Sequence, residues 1–188
     1  MKKILWTILL SYTMTLTAES NPSLLFDGNL NALLIDKKAF YVSVSDEVTG
    51  GCLPKPNQLK TSMESTLRNN GFEILEKNSP QTTQIHLSAL GFKINGMCVV
   101  DLTVNMFFPI KAEVPYAGNV PGGAMTYLGY DYSVGRHIFN YRRNKMQKKL
   151  NQTVKYYGDQ IYMKISKAKD NIFKKFPSIE QEMKKNSN

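Results

Sequence analysis

The amino-acid sequence predicts an α+β fold. We expect a single domain in which a β-α-β unit and an antiparallel β-hairpin form a mixed sheet, packed by one short helix and a long basic amphipathic C-terminal helix. Three patterns support this expectation. Strand-like alternation on both sides of a helical segment indicates the β-α-β unit, an Asn-Gly pair between two alternating segments indicates the hairpin, and a helical repeat of apolar residues indicates the long helix.

The first 20 residues have the layout of a secretory signal peptide. Lys2 and Lys3 supply a positively charged start, residues 4–16 form a short apolar segment, and small residues at Ala18 and Ser20 offer a cleavage site. No cysteine that could carry a lipid anchor follows the apolar segment. We therefore expect residues 1–20 to be removed and residues 21–188 to form one periplasmic or secreted domain without a transmembrane span.

The β-α-β unit occupies the first third of the mature chain. Residues 21–31 are expected to be an irregular lead-in or a short edge strand, and residues 39–45 alternate as a half-buried strand does. Residues 57–70 repeat apolar side chains every fourth residue, with Asn57 as the expected N-cap and Gly71 as the C-terminal stop. Residues 72–75 read as the second strand, at the spacing expected of a crossover.

The hairpin is the most specific local signal. Residues 84–94 and 97–108 flank Asn95-Gly96, and a two-residue turn fixes which residues oppose one another. One face then pairs apolar residues with apolar residues: Ile85 with Met106, Leu87 with Val104, Ala89 with Leu102 and Gly91 with Val100. The other face pairs His86 with Asn105, Ser88 with Thr103 and Leu90 with Asp101, and we expect His86 to be an exposed structural residue.

The two cysteines, Cys52 and Cys98, are expected to form a disulfide. An oxidising compartment and a count of two favour a bond over a reduced catalytic thiol. The two histidines, His86 and His137, do not form a ligand-spaced cluster with the cysteines, so no metal site is predicted. Cys98 falls near the end of the apolar face of the hairpin, which would tie the loop after the first strand to the sheet.

Residues 109–135 are rich in glycine, proline and tyrosine. They can be read as an ordinary connection in which AMTYLGYDY forms one more strand, which we favour, or as a binding loop. In the second case its contacts would come from four tyrosines: Tyr116, Tyr127, Tyr130 and Tyr132. The glycines match neither phosphate-binding pattern, and no nucleophile elbow or acid–base pair occurs in the chain, so we predict no cofactor and no catalysis.

The C-terminal third predicts a long helix over residues 139–176, followed by Pro177 and a flexible tail at residues 178–188. Its apolar residues recur at steps of three or four and form a narrow stripe: Met146, Leu150, Val154, Tyr157, Ile161, Ile165, Ala168, Ile172 and Phe176. Such a helix is longer than the domain is wide. It must either break near Gly158 or project past the sheet, which would leave Ile172, Phe173 and Phe176 outside the core.

Positive charge is concentrated in this same segment. Residues 134–188 hold 14 Lys or Arg against 4 Asp or Glu, a balance of +10, whereas the whole chain has a net charge of +9. The lopsided sign favours an anionic partner such as lipid headgroups, lipopolysaccharide or an acidic envelope protein, with nucleic acid less favoured. The candidate partner-binding residues are Lys145, Lys148, Lys149, Lys155, Lys167, Lys169, Ile172, Phe173, Lys174, Lys175 and Phe176.

The order signal peptide, strand, helix, strand, hairpin and long helix resembles small α+β envelope proteins that serve as assembly or secretion accessories, including the lipopolysaccharide-assembly lipoproteins. The lipidated cysteine of those lipoproteins is missing here. The resemblance implies an exported, non-catalytic accessory or binding module of the bacterial cell envelope. The alternative is a secreted enzyme or a toxin/immunity-like factor with its site in the Tyr/Gly-rich segment 115–135.

Overall fold

A five-stranded mixed sheet with helices on one face forms the framework of the molecule. A computed structural model describes residues 30–114 and 124–185. In chain order the elements are α1 (Leu30–Leu34), β1 (Ala39–Val48), α2 (Asn57–Asn69), β2 (Glu73–Ile74), β3 (Gln84–Ile94), β4 (Met97–Val114), β5 (Ala124–Arg142), α3 (Arg143–Lys175) and α4 (Pro177–Lys185). The predicted α+β fold is confirmed. The expected signal peptide lies outside the described residues.

The strands lie in the order β2-β1-β3-β4-β5. β1 is parallel to both β2 and β3, while β3, β4 and β5 are mutually antiparallel. The β-α-β unit therefore forms one edge of the sheet and the antiparallel strands form the other. Parallel pairing of β1 with β3 joins segments more than forty residues apart in the chain, so it depends on tertiary packing rather than on a turn.

The predicted register of the hairpin is confirmed along its whole length. Leu87 lies opposite Val104 and His86 lies opposite Asn105, as the Asn95-Gly96 turn requires. Asn95 and Gly96 adopt φ angles of 48° and 81°, the left-handed conformation that a two-residue hairpin turn demands. Leu87 and Val104 are fully buried. His86 and Asn105 are half-buried rather than exposed, because β1 and β5 flank them on the open face of the sheet.

β4 and β5 are longer than predicted. The segment AMTYLGYDY lies within β5, which continues to Arg142. As a result, residues 139–142 pair with Met97 to Val100 instead of starting the long helix. The expectation that the helix begins near residue 139 is therefore wrong, since α3 begins at Arg143. β3 begins at Gln84, which lies opposite Phe107. Past this row, residues 108–114 and 124–130 pair only with each other and form a two-stranded ribbon.

The core lies between one face of the sheet and the helices α2 and α3. α3 runs for 33 residues without a break, so the alternative of a break at Gly158 is wrong. Gly158 has a different role. A Cβ atom there would lie 2.8 Å from Thr66 Cγ2 and 3.3 Å from Met63 Sδ, so the glycine lets α2 and α3 approach closely. The buried stripe on α3 comprises Met146, Leu150, Val154, Tyr157, Ile161, Ile165, Ala168 and Ile172.

Three features of the helices differ from expectation. The residue that caps α2 is Pro56, without a side-chain hydrogen bond, so Asn57 is the first helical residue and not the cap. α1 includes the last two residues of the segment 21–31, where an irregular lead-in or edge strand was expected, and it packs against α3; residues 21–29 lie outside the described residues. α4 (Pro177–Lys185) takes up most of the segment 178–188 that was predicted as a flexible tail, so that expectation is wrong for residues 178–185. A proline is tolerated in the first turn of a helix, and Lys184 and Glu180 pair at 2.7 Å along α4.

Cys52 and Cys98 form the predicted disulfide. Their Cα atoms lie 5.6 Å apart, and neither side chain is exposed. The bond ties the loop between β1 and α2 to the start of β4. It closes a loop with a sequence separation of 46, which the chain-entropy model equates with about 4 kcal/mol of stability.

We expect replacement of both cysteines by alanine to lower the free energy of unfolding by about 2–5 kcal/mol, because the unfolded chain gains the freedom that the closed loop denies it. Urea denaturation of the two proteins measures the difference. A reductant should lower the stability of the wild type and leave the double variant unchanged. Two titratable thiols per chain in the non-reduced, denatured protein would contradict the bond.

Two leucines on β3 test the assignment of its faces, because Leu87 is fully buried whereas Leu90 is 55% exposed on the other face. Leu87→Ser should lower the free energy of unfolding by about 3–5 kcal/mol, through a cavity and a buried hydroxyl. Leu90→Ser should change it by no more than about 0.5 kcal/mol. Urea denaturation compares the two variants, and equal losses would show that the register is wrong.

Candidate interaction surface

Three segments meet where α3 begins. The disulfide loop, the Asn95-Gly96 turn and the first residues of α3 surround an open cavity of about 670 Å³. Its lining residues are Pro54, Asn95, Gly96, Met97, Arg142, Arg143, Asn144 and Gln147. All charged residues in this lining are basic. The cavity can therefore accept an anionic group without opposition from its own wall.

Hydrogen bonds hold the first turns of α3 against the disulfide loop. Arg143 donates from Nε to the carbonyl oxygen of Gly51 at 2.9 Å. The backbone N–H of Lys55 donates to Gln147 Oε1 at 3.1 Å. The disulfide fixes the same loop from the side of the sheet, so the start of α3 and the end of the hairpin form one continuous surface.

The first half of α3 is positively charged throughout. Residues 142–158 include six basic residues and no acidic one. Lys145, Lys148 and Lys155 are exposed, and Lys149 is half-buried with its ammonium 5.7 Å from the ring centre of Tyr141. The N-terminus of a helix already carries a partial positive charge, so cations in the first turn cost stability. Arg143 and Lys145 lie in this first turn, so helix stability does not account for these two cations.

The second half of α3 has a different charge pattern. Lys167, Lys174 and Lys175 are exposed and Lys169 is half-buried, but Asp159 and Asp170 intervene. Lys174 and Lys175 lie in the last turn, where cations stabilise a helix because the C-terminus carries a partial negative charge. These lysines therefore have a structural explanation that those of the first half lack.

The apolar residues predicted to lie outside the core at this end are only partly available. Ile172 is buried, with 4% of its surface exposed, so the expectation is wrong for this residue. Phe173 and Phe176 are half-buried. The physical reason is that α1 and α4, two helices that the sequence analysis did not predict, both pack against α3.

Of the four tyrosines of the predicted loop, the structure describes the side chains of Tyr130 and Tyr132. Tyr116 lies outside the described residues, and Tyr127 lies in β5 opposite Lys111. Tyr130 is exposed beside Phe108, whereas Tyr132 accepts a hydrogen bond from Lys164 on α3. The alternative of an enzyme-like site in segment 115–135 depends largely on residues 115–123, which lie outside the described residues.

One pair of polar residues was missed by the sequence analysis. Ser43 Oγ and His86 Nδ1 lie 2.8 Å apart because β1 pairs with β3 in parallel, which no local sequence pattern predicts. Gln84 Nε2 also donates to Ser43 Oγ at 2.6 Å. Ser43 Oγ thus accepts a hydrogen bond from Gln84 and shares a second one with His86 Nδ1, in which the histidine tautomer determines the donor. This network satisfies polar groups on a sheet face, and we assign it no catalytic role.

Other chemistry in the described residues is limited. In residues 30–114 and 124–185, no cluster of three or more His, Cys, Asp or Glu side chains could hold a metal ion. Within those ranges, helices with enough apolar length to cross a membrane are also absent.

Arg136 forms two hydrogen bonds with Asp101 through Nε, at 3.0 and 2.9 Å, and this partner raises the pKa of Arg136. Burial raises the pKa of Tyr157.

Comparison with known proteins identifies no family. No family model matches the chain, and no curated protein sequence does so. Among solved structures, a PelC dodecamer from Paraburkholderia phytofirmans is similar at 10% identity and a TM-score of 0.41, with 66% of this chain and 88% of that one covered. A minor lipoprotein from Acinetobacter baumannii is similar at 15% identity and a TM-score of 0.34, covering 69% and 90%.

The rare lipoprotein B from Shewanella oneidensis is similar at 11% identity and a TM-score of 0.30, covering 71% of this chain and 98% of that one. Likenesses at these scores carry no inference about function.

Two isoleucines test how the end of α3 is packed. Ile172→Ala should lower the free energy of unfolding by about 2–4 kcal/mol, because it removes buried methyl groups and leaves a cavity. Ile138→Ala, at a position that is 63% exposed, should change it by about 0.5 kcal/mol or less. Urea denaturation measures both. A silent Ile172→Ala would mean that this end of the helix does not pack as described.

Proposed function

We propose that the protein is an exported, non-catalytic binding module of the bacterial cell envelope, and that it contacts an anionic partner through the first half of α3. The observation that carries the proposal is that residues 142–158, the last residue of β5 and the first half of α3, include six basic residues and no acidic one. Arg143 and Lys145 lie in the first turn of α3, where a cation destabilises the helix. Binding of an anionic partner would explain why cations are present there.

The disulfide supports an extracytoplasmic location. Disulfides persist in oxidising compartments, and the Cys52–Cys98 bond is buried in the core, where it stabilises the fold rather than performing redox chemistry. The apolar segment at residues 4–16 is consistent with export. The proposal therefore places the basic surface among the anionic components of the envelope.

The arrangement of the surface supports a contact made by many charges rather than by a single deep pocket. Arg142 is exposed at the open cavity, and Lys145 and Lys148 are exposed on the first turns of α3, while Arg143 donates a hydrogen bond to Gly51. Clustered like charges create a local potential that attracts an oppositely charged partner and accelerates its association. Exposed charges of this kind are screened by salt, so binding should weaken as ionic strength rises.

The test compares two triple variants that remove the same amount of charge, one around the beginning of α3 and the other from its second half. The first carries Arg142→Gln, Lys145→Gln and Lys148→Gln, and the second carries Lys167→Gln, Lys174→Gln and Lys175→Gln. Heparin serves as a soluble polyanion, and titration calorimetry at two salt concentrations measures the affinity. We expect the first variant to bind about tenfold more weakly and the second to lose less than about threefold.

Thermal unfolding of the same variants provides the control. Removing cations from the start of α3 relieves an unfavourable interaction with the helix dipole, so the first variant should be as stable as the wild type or slightly more so. The second variant should be slightly less stable. Equal losses of affinity in the two variants would overturn the assignment of the partner surface to the first half of α3.

A further inference from the structure

The open face of the sheet carries an uncovered apolar surface at the end nearest the hairpin turn. Leu90, Phe92 and Ile94 alternate along β3 and are each about half exposed, and Ile138 on β5 is more exposed still. Large apolar side chains that are exposed singly are common, but a contiguous group of them marks a contact surface.

The register joins these side chains into one patch. On β4, Val99 lies between Phe92 of β3 and Asn140 of β5, and Met97 lies between Ile94 and Arg142. Val99 and Met97 are half-buried on the same open face. We call this group the hairpin patch, and it consists of Leu90, Phe92, Ile94, Met97, Val99 and Ile138.

Basic residues adjoin the hairpin patch at its turn end. Arg142 shares a row of the sheet with Ile94 and Met97, and Arg143 begins α3 directly after it. Met97 and both arginines also line the open cavity, so the patch is continuous with the basic surface.

Acidic charge is weak on this side. Asp101 lies between Leu90 and Ile138 but is bonded to Arg136. Glu47 of β1 lies beside Leu90 of β3, at the end of this apolar surface that is farther from the hairpin turn.

We propose that the hairpin patch docks on an anionic lipid bilayer, with the turn from Ile94 to Met97 entering the interfacial region and Arg142 and Arg143 contacting lipid phosphates. This inference rests on the proposed function and specifies its partner. Apolar side chains beside cations are the composition of surfaces that lie at a membrane interface. Cations near an anionic leaflet add favourable electrostatic attraction.

Charge complementarity favours a lipid surface over a second copy of the chain. Two copies joined through their hairpin patches would bring two sets of Arg142, Arg143 and Lys145 together, and the chain as a whole carries +9. An anionic bilayer meets the same cations with opposite charge. The patch also lies on a sheet face that ends in a tight two-residue turn, so its tip can reach a planar surface without a groove in the partner.

The experiment measures sedimentation with large vesicles of phosphatidylglycerol and phosphatidylethanolamine, with phosphatidylcholine vesicles as the uncharged comparison. All proteins are purified after export from one host, so that they share the same N-terminus. Phe92→Ser combined with Ile94→Ser should weaken binding to the anionic vesicles by about tenfold or more, because two apolar anchors are lost. Tyr162→Ser combined with Met163→Ser removes exposed apolar side chains from the second half of α3, outside both the hairpin patch and the basic surface, and should leave binding unchanged.

A tryptophan at position 94 reports insertion directly. Ile94→Trp should show blue-shifted emission and quenching by brominated lipids on anionic vesicles, whereas Met163→Trp, in the second half of α3, should show neither. Blue-shifted, quenched emission at position 94 alone supports the proposal. Equal behaviour at both positions overturns it.

The outcomes separate this inference from the proposed function. If the Phe92→Ser and Ile94→Ser protein keeps full vesicle binding, or if vesicles do not bind the wild type while heparin does, the lipid inference fails and the anionic surface stands. If the wild type binds neither vesicles nor heparin, the proposed function fails as well. A wild-type dimer that the same double variant dissociates would identify the hairpin patch as an interface between copies and would overturn the lipid proposal.

Discussion

The register between β3 and β4 determines the rest of the structure. Because side chains alternate between the two faces of a strand, a slip of one residue would turn Leu87 and Val104 to solvent and bring His86 and Asn105 into the core. The Asn95-Gly96 turn prevents that slip by leaving no spare residue in the connection. The same register places Cys98 on the core side of β4, where it can reach Cys52, and the disulfide then fixes the loop that receives α3.

The features that could be predicted from the sequence are those that depend on residues close together in the chain. The hairpin depends on a turn and on residues a few positions away, so it was predicted to the residue. The boundary between β5 and α3 was not, because residues 139–142 fit the apolar repeat of the helix, and only pairing with β4 holds them in a strand. The burial of Ile172 was missed because it depends on the packing of α3 with α1 and α4.

The candidate interaction surface likewise combines features that the sequence predicts locally with features that depend on tertiary contacts. The excess of positive charge on the C-terminal segment was evident from the sequence, but its distribution along the helix required the observed start at Arg143. A helix beginning near residue 139 would have put Lys145 almost two turns inside. With the observed start, Lys145 lies in the first turn, where its charge opposes the dipole. The contact between Ser43 and His86 had no local signal, since it arises from a parallel pairing across the sheet.

The ribbon formed by β4 and β5 beyond the end of β3 has a consequence for the energetics of opening. Among the described residues, 109–114 and 124–129 have one neighbouring strand each, and a two-stranded pairing has little stability of its own in water. This part can separate while the five-stranded region and the disulfide remain intact. Its amide hydrogens should therefore exchange through sub-global openings of low free energy, whereas those of Leu87 and Val104 should exchange only when the whole domain unfolds.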